Sequence, residues 1–332
     1  MFFALTDDQG EFGAAVRGYL AERFDLAAVR GVVEDTASDG NPAALWKAAG
    51  EQGWLAVTVP EEFDGLGLGL VEAQVIARAL GAGVAPGPWR GTVLAAEAIR
   101  LAGSAEQQAA WLPRLAAGTA VGALASGSTL SAVEYGAIAD VVVTPDAKLV
   151  TGASSTPRGS YDGTVRLADL TGGTVEELAA PGPGAEADIR ARAAVLAASE
   201  LVGIAREALT RTVAYDRERK QFGVPVGSFQ AIKHALADLH CTVTMAEHAA
   251  LYAAHAVDVG ADDAALAVAV AKAKAGDAAV ASTGAMIQYH GGIGYTWEHE
   301  AHLFYKRAKR LAGQWGDAGA HRARIAELTI GG

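Results

Sequence analysis

The chain has 332 residues and a single cysteine, Cys241. An internal disulfide is therefore excluded, and a reducing, cytoplasmic setting is expected, with Cys241 packing as a small apolar group or, as the alternative, offering a reactive thiol. No run of about 18 apolar residues occurs, so no membrane span is expected. The opening Met1-Phe2-Phe3-Ala4-Leu5 passes at once into Thr6-Asp7-Asp8, too short and too acidic a start for a secretion signal. Positive charge is scarce as well. With 27 Lys and Arg against 38 Asp and Glu, the net charge of −11 argues against general nucleic-acid binding and against attraction to an anionic membrane surface. A polyanionic ligand must then be met by a local basic site. No Gly-x-Ser-x-Gly elbow, phosphate-binding P-loop or cysteine pair is present, which leaves hydrolase, nucleotidase and thiol chemistry without support. Histidines do not make up a metal site either. His248 and His255 lie about 10.5 Å apart along a helix, and His299 and His302 lack a third ligand at matching spacing apart from the ambiguous Glu298.

What the chain does have is helical pattern. Half of it is hydrophobic, 51%, which suits a mainly α globular protein. Thr6 to Gln9 and Ser104 to Gln107 read as capping boxes, each opening an amphipathic helix. Asn41-Pro42 reads as an N-cap followed by proline at the first helical position. The segment Gly65-Leu-Gly-Leu-Gly69 is expected to be a loop, since its glycines alternate with Leu and no strand–helix pair surrounds them. Residues 1–120 thus form an all-α region of about five helices. From Val121 the character changes. Segments at 121–125, 139–144, 148–152 and 164–168, separated by Ser, Gly, Asp and Pro, predict a small turn-rich β region of four or five strands. It ends in a Pro/Gly linker at 179–185. Four long helical segments follow, at 189–217, 228–259, 262–290 and 298 to about 311, and their short connections predict an antiparallel four-helix bundle.

The densest basic site lies at the corner between the first two of these helices. Arg217, Arg219 and Lys220 stand beside Phe222, and the chain reverses at Gly223-Val-Pro-Val-Gly227. Arginine offers phosphate a fork of donors. Farther on, Gln288-Tyr-His-Gly291-Gly292 pairs two glycines, which let backbone N–H groups approach a phosphate closely or simply cap a helix.

Three blocks in order carry a resemblance. Arg219-Lys-Gln-Phe-Gly-Val-Pro-Val-Gly-Ser-Phe-Gln-Ala-Ile-Lys-His-Ala-Leu-Ala-Asp238 closely resembles the Arg-x-x-Phe-Gly…Phe-Gln…Leu-Ala-Asp block of acyl-CoA dehydrogenases. Gln288 to Glu298 resembles that family's second C-terminal block, and Gly53 to Gly67 resembles its N-terminal domain. The resemblance implies a mainly α fold with an N-terminal α-domain (1–120), a shortened middle β-domain with linker (121–184) and a C-terminal four-helix bundle (185–332). It implies FAD as cofactor, with Arg219, Gln221 and Phe222 toward the pyrophosphate and flavin side. Phe229, Gln230, Gln288, Gly291 and Gly292 take the remaining cofactor contacts.

Two departures shape the functional expectation. Family enzymes remove the substrate α-proton with a glutamate, most often in a Tyr-Glu-Gly-Thr-like segment after the last bundle helix. Here that region is Ala312-Gly-Gln-Trp-Gly-Asp-Ala-Gly319, and the alternative place early in the first bundle helix holds Ala193-Ala194. The weak substitutes are Asp317, which could equally cap a helix, and Glu200, which could equally be a buried partner of a bundle arginine. In the β-domain, the family's Thr-Glu-Pro…Gly-Ser-Asp segment is replaced by Leu124-Ala-Ser-Gly-Ser-Thr129, implying an incomplete flavin pocket in this chain. The resemblance therefore extends to the short subunits of actinobacterial α2β2 acyl-CoA dehydrogenases. It implies a larger catalytic partner subunit, an acyl-CoA substrate, with a steroid side-chain thioester as one candidate, and electron-transfer flavoprotein as acceptor. The alternatives are a self-sufficient enzyme using Asp317 or Glu200, and a non-catalytic structural subunit.

Overall fold

In the computed structural model, which describes residues 4–180, 182 and 184–331, both capping boxes form. Thr6 opens α1 (Asp7–Arg23), its hydroxyl accepting from the Gln9 amide while the Gln9 side chain accepts from the Thr6 amide. Ser104 does the same for α6 (Ala105–Ala116). Between them lie α2 (Leu26–Glu34), α3 (Ala43–Glu51), α4 (Leu70–Ala82) and α5 (Trp89–Ala102). The expected Asn41 cap is corrected: Pro42 is the capping residue of α3 without a side-chain bond, and Asn41 Oδ1 is buried without a partner. Residues 65–69 are loop, as expected.

Seven strands follow: β1 (Gly122–Leu124), β2 (Val133–Glu134), β3 (Val141–Val143), β4 (Lys148–Thr151), β5 (Ser154–Arg158), β6 (Leu167–Thr171) and β7 (Thr174–Glu177). This exceeds the expected four or five. The unforeseen strands are β2, too short at two residues to show a pattern, and β5 and β7, exposed along their whole length, so none of them carries an apolar alternation. The strand expected at 164–168 begins later, because Asp162 Oδ1 accepts from the Thr164 amide and hydroxyl and holds a turn there. Of the 179–185 linker, Pro181 and Pro183 lie outside the described residues, as do Met1–Phe3 at the start.

The long helices are α7 (Ala185–Glu218), α8 (Gln230–Asp258), α9 (Ala264–Tyr289) and α10 (Ala301–Gly313). Between α7 and α8 runs a two-stranded ribbon, β8 (Lys220–Gln221) with β9 (Val224–Pro225). A further helix, α11 (Ala318–Ile330), was not anticipated; it has no buried residue and hence no apolar stripe to betray it.

The chain divides into two compact units. One comprises Ala27–Ala73 and Pro86–Ala193. It contains a sheet of order β1-β3-β4-β7, in which β1 and β3 are parallel and the other pairs antiparallel, and an antiparallel sheet of order β2-β6-β5. Its β core is Ala123, Ala125, Val133, Val142, Val150, Ala168 and Leu170. The indoles of Trp46 and Trp89 tie its helices down by donating to the carbonyls of Gly118 and Trp54, both at 2.9 Å.

The other unit comprises Met1–Leu26, Gln74–Ala85 and Ala194–Gly332. Here α9, rich in buried alanine, packs against α8, α10 and α11. Small residues also bring α4 onto α7. A Cβ at Gly203 would stand 2.0 Å from the Arg78 carbonyl oxygen, and one at Gly81 would stand 2.2 Å from that of Glu200. The N-terminal half of α8 behaves differently: no residue from Gln230 to Thr242 is fully buried, although Ile232, Ala235, Leu236 and Leu239 share one face.

Candidate cofactor site

The corner between α7 and α8 is a tight hairpin closed by backbone bonds. Arg219 N–H donates to Tyr215 O, and Val226 N–H donates to Arg219 O, both at 2.8 Å. The two turn residues, Phe222 and Gly223, have φ of 52° and 82°. Positive φ at both positions matches the right-handed twist of a two-residue ribbon. Glycine adopts that conformation freely, whereas a phenylalanine there is under strain. The strained Phe222 side chain is 94% exposed and meets Phe229 edge-on at 6.4 Å between ring centres. Ser228 Oγ–H donates to Pro225 O at 2.6 Å and holds the turn into α8.

Facing this hairpin is the end of α9. Gly291 has φ of 64°, so it ends the helix in a left-handed cap that favours glycine, and a short 3-10 turn (Gly291–Tyr295) follows. A side chain at Gly291 or Gly292 would meet nothing within 4 Å, whereas a Cβ at Gly294 would stand 2.5 Å from Ile287 O. Open space at the first two glycines and contact at the third means that Gly294 makes the turn possible while Gly291 and Gly292 border a gap.

That gap is an open cleft of about 690 Å³. Five of the eight expected cofactor residues line it: Arg219, Gln221, Gln288, Gly291 and Gly292. Phe222, Phe229 and Gln230 are exposed on the hairpin but are not part of its wall. Among the described residues the Arg219 guanidinium has no hydrogen-bond or ion-pair partner and is exposed to solvent. A cationic fork beside two glycines with free space in front suits the pyrophosphate of FAD.

The wall also contains groups that the sequence pattern did not single out. The Tyr215 and His290 rings stack at 4.3 Å, and His299 lies 4.5 Å beyond His290. His290 Nδ1 is 2.7 Å from Met286 O; a carbonyl can only accept, so Nδ1 carries the proton. Burial holds the His290 pKa below its usual value, and the nearby His299 adds to this, so the ring is neutral. Adjacency to Arg219 and Gly291 in sequence was the signal available for Tyr215 and His290. Behind the hairpin Asp216 is 1% exposed, and neither carboxylate oxygen has a hydrogen-bond partner. Burial pushes its pKa up to about 6.

The two weak candidates for a base stand elsewhere. Glu200, 3% exposed, pairs with Arg307, whose guanidinium also donates to Ala85 O at 2.9 Å. Asp317 is the N-cap of α11, its Oδ1 accepting from Ala320 N–H at 2.8 Å. Neither lines the cleft. The loop before Asp317 is fixed from beneath by the fully buried Lys272, which donates to Ala312 O and Gly316 O at 3.0 and 2.9 Å. Ala193 and Ala194 are buried in α7.

The model of the acyl-CoA dehydrogenase N-terminal domain matches residues 6–119, and that of the acyl-CoA dehydrogenase C-terminal domain matches residues 190–329. The acyl-CoA dehydrogenase IpdE2 of Mycobacterium tuberculosis is 39% identical over 298 residues, covering 88% of each chain. A chain of the Tcur3481-Tcur3483 steroid ACAD is similar in structure, with a TM-score of 0.88 and 28% identity over 97% of both chains. A chain of the ChsE4-ChsE5 complex from Mycobacterium tuberculosis shares the fold, with a TM-score of 0.90 and 24% identity over 99% of both. With both terminal regions matched and a relative alike across most of its length, the chain belongs to the acyl-CoA dehydrogenase family.

Proposed function

We propose that this chain is the partner subunit of a heteromeric acyl-CoA dehydrogenase, supplying one edge of an FAD site to a larger catalytic chain. The observation that carries this proposal is the unpartnered guanidinium of Arg219 at an open cleft, in a chain whose candidate acids are engaged elsewhere. The residues present fit one part of the cofactor. Arg219 and the backbone at Gly291 and Gly292 would meet the pyrophosphate, while Gln221 and Gln288 would take polar contacts beside it. Phe222, Phe229 and Gln230, outside the cleft wall, would meet the flavin side and the partner chain. When bound, FAD supplies an acceptor for the hydride that leaves the acyl β-carbon. The proton on the α-carbon would go to a carboxylate of the partner subunit, because Glu200 is held by Arg307 and Asp317 by the α11 backbone.

The half-exposed apolar face of α8, continuing into Phe229 and Met245, supports a subunit contact in the bundle. The likeness to a two-component steroid ACAD supports a heteromer, an α2β2 assembly acting on a steroid side-chain CoA thioester, with electron-transfer flavoprotein as acceptor. Among the described residues no helix is long and apolar enough to cross a membrane, and the assembly is proposed to work in the cytoplasm. The regions 1–120, 121–184 and 185–332 would then serve as helical support, reduced β-domain and cofactor-edge bundle.

The test is co-purification, followed by a flavin spectrum of the complex and of its Arg219→Ala variant. A larger companion chain and at least tenfold weaker FAD retention in the variant are expected, since the arginine meets a desolvated phosphate. Unchanged FAD content would favour a purely structural subunit. Stoichiometric FAD and acyl-CoA oxidation by this chain alone would favour a self-sufficient enzyme.

A further inference from the structure

Away from the cleft, close helix contacts gather three arginines in one corner. A Cβ at Gly13 of α1 would stand 2.6 Å from the Val75 side chain of α4 and 3.3 Å from Arg17 Nη1. Arg17 lies one helical turn beyond Gly13, and Arg78 lies three residues beyond Val75, so both follow from the same crossing. On the other side of α4 the Arg78 carbonyl sits against Gly203 of α7, three residues before Arg206. The glycines therefore bring α1, α4 and α7 close enough for their arginines to share one environment.

Among the described residues one carboxylate is hydrogen-bonded to this trio. Glu247 of α8 accepts from Arg206 Nε and Nη2 at 2.9 and 2.6 Å. Arg206 is saturated further by Thr244 Oγ1 at 2.9 Å and by His240 Nδ1 at 3.1 Å. A guanidinium only donates, so His240 Nδ1 is the acceptor of this bond. Among the described residues neither the Arg17 nor the Arg78 guanidinium has a hydrogen bond or an ion pair. Three guanidinium charges against one carboxylate leave two positive charges in excess, within a chain whose net charge is −11. Burial is the main cause that holds the Arg78 pKa below its usual value; Glu247 opposes this, and repulsion from Arg17 and Arg206 adds to it. Arg78 is half-buried and Arg17 is exposed, so the unsatisfied donors are reachable from solvent.

We propose that Arg17 and Arg78, backed by the Arg206–Glu247 pair, form a binding site for a phosphate group. Two excess charges match a phosphate dianion, and two free guanidinium forks match its oxygens. The site is separate from the cleft at Arg219, and the proposal does not depend on the flavin assignment.

The experiment is a calorimetric titration of the full chain, in whatever complex it purifies, with inorganic phosphate at ionic strength held constant with sodium chloride. Saturable binding is expected, weakened at least tenfold in Arg17→Gln and in Arg78→Gln and unchanged in Arg324→Gln, whose exposed guanidinium already pairs with Glu327. Arg17 is exposed, so its variant remains informative if Arg78→Gln lowers the folded yield; a far-ultraviolet spectrum checks both. A parallel titration with AMP separates the two sources of the group. AMP binding lost in Arg17→Gln but kept in Arg324→Gln assigns a phosphate ester, and binding of phosphate alone assigns the free ion. No saturable heat with phosphate, or binding that persists unchanged in both glutamine variants, would overturn the proposal.

Discussion

Two acids on one helix make an instructive contrast. Glu200 and Asp216 both belong to α7 and are almost equally buried. Glu200 has Arg307 against it, and Arg307 in turn reaches the carbonyl of Ala85. Asp216, nearer the end of the helix, has neither a cation nor a donor for either oxygen. The same backbone thus holds one carboxylate whose charge is met and one whose charge is penalised. The first sits where α7 is gripped by α4 and α10. The second lies under the hairpin that borders the cleft, where a Cβ at Gly227 would already stand 2.9 Å from the Asp216 carbonyl oxygen. The middle of the helix is built for rigidity, and its end keeps an unresolved electrostatic cost beside the candidate cofactor site.

The largest effect should come from breaking the satisfied pair. Arg307→Met leaves the Glu200 carboxylate buried without its cation, and removing one partner of such a pair costs about 3–5 kcal/mol. Urea denaturation would show it as a lower midpoint. Adding Glu200→Leu should recover much of the loss, because two apolar groups replace two charges of similar burial. A single variant as stable as the parent would mean that the pair is not what grips α7.

Asp216 should behave in the opposite way. Its folded pKa of about 6 lies above its ordinary value of 3.8. Below both values the group is protonated in either state and costs nothing. Between about pH 4 and 6 the unfolded chain ionises first, so the folded state loses stability as pH rises, and above pH 6 the full penalty persists. Asp216→Asn removes that ionisation, so it should gain stability on the parent by up to about 3 kcal/mol between pH 4 and 7.5. Denaturation curves of both proteins at the two pH values test it, and a difference that does not change with pH would show that the carboxyl finds a partner.

The contrast was only half legible in the sequence. A buried glutamate paired with a bundle arginine could be foreseen at Glu200, because a charge at an apolar helix position needs a counter-charge. That its partner is Arg307 could not, since the two are joined through tertiary packing of α7 on α10. Asp216 carried no signal, because its neighbours Arg217 and Arg219 made the whole turn look solvated. The long helices and both capping boxes were readable, since periodicity and cap chemistry are local. Strands β5 and β7 and helix α11 were not, since none of them buries an apolar face. At the candidate site, Arg219, Gln221, Gln288, Gly291 and Gly292 line one cleft. The aromatic wall of Tyr215 and His290 depends on a stacking that spacing alone does not encode.

The smallest effect concerns the acid that sequence position made most tempting. Asp317 follows the loop in which the family carries its base, and its Oδ1 accepts the Ala320 amide at the start of α11. Replacing a helix N-cap by alanine costs about 1 kcal/mol, from one lost hydrogen bond and the lost interaction with the helix dipole. Because α11 has no buried residue, that loss should stay within the helix and leave the cleft at Arg219 intact. Asp317→Ala in the active assembly should therefore lower the melting temperature by only about 1–2 °C while FAD content and turnover stay within about twofold of the parent. If turnover collapsed by a hundredfold or more with FAD retained, Asp317 would be acting as the base, and the chain would be catalytic in its own right.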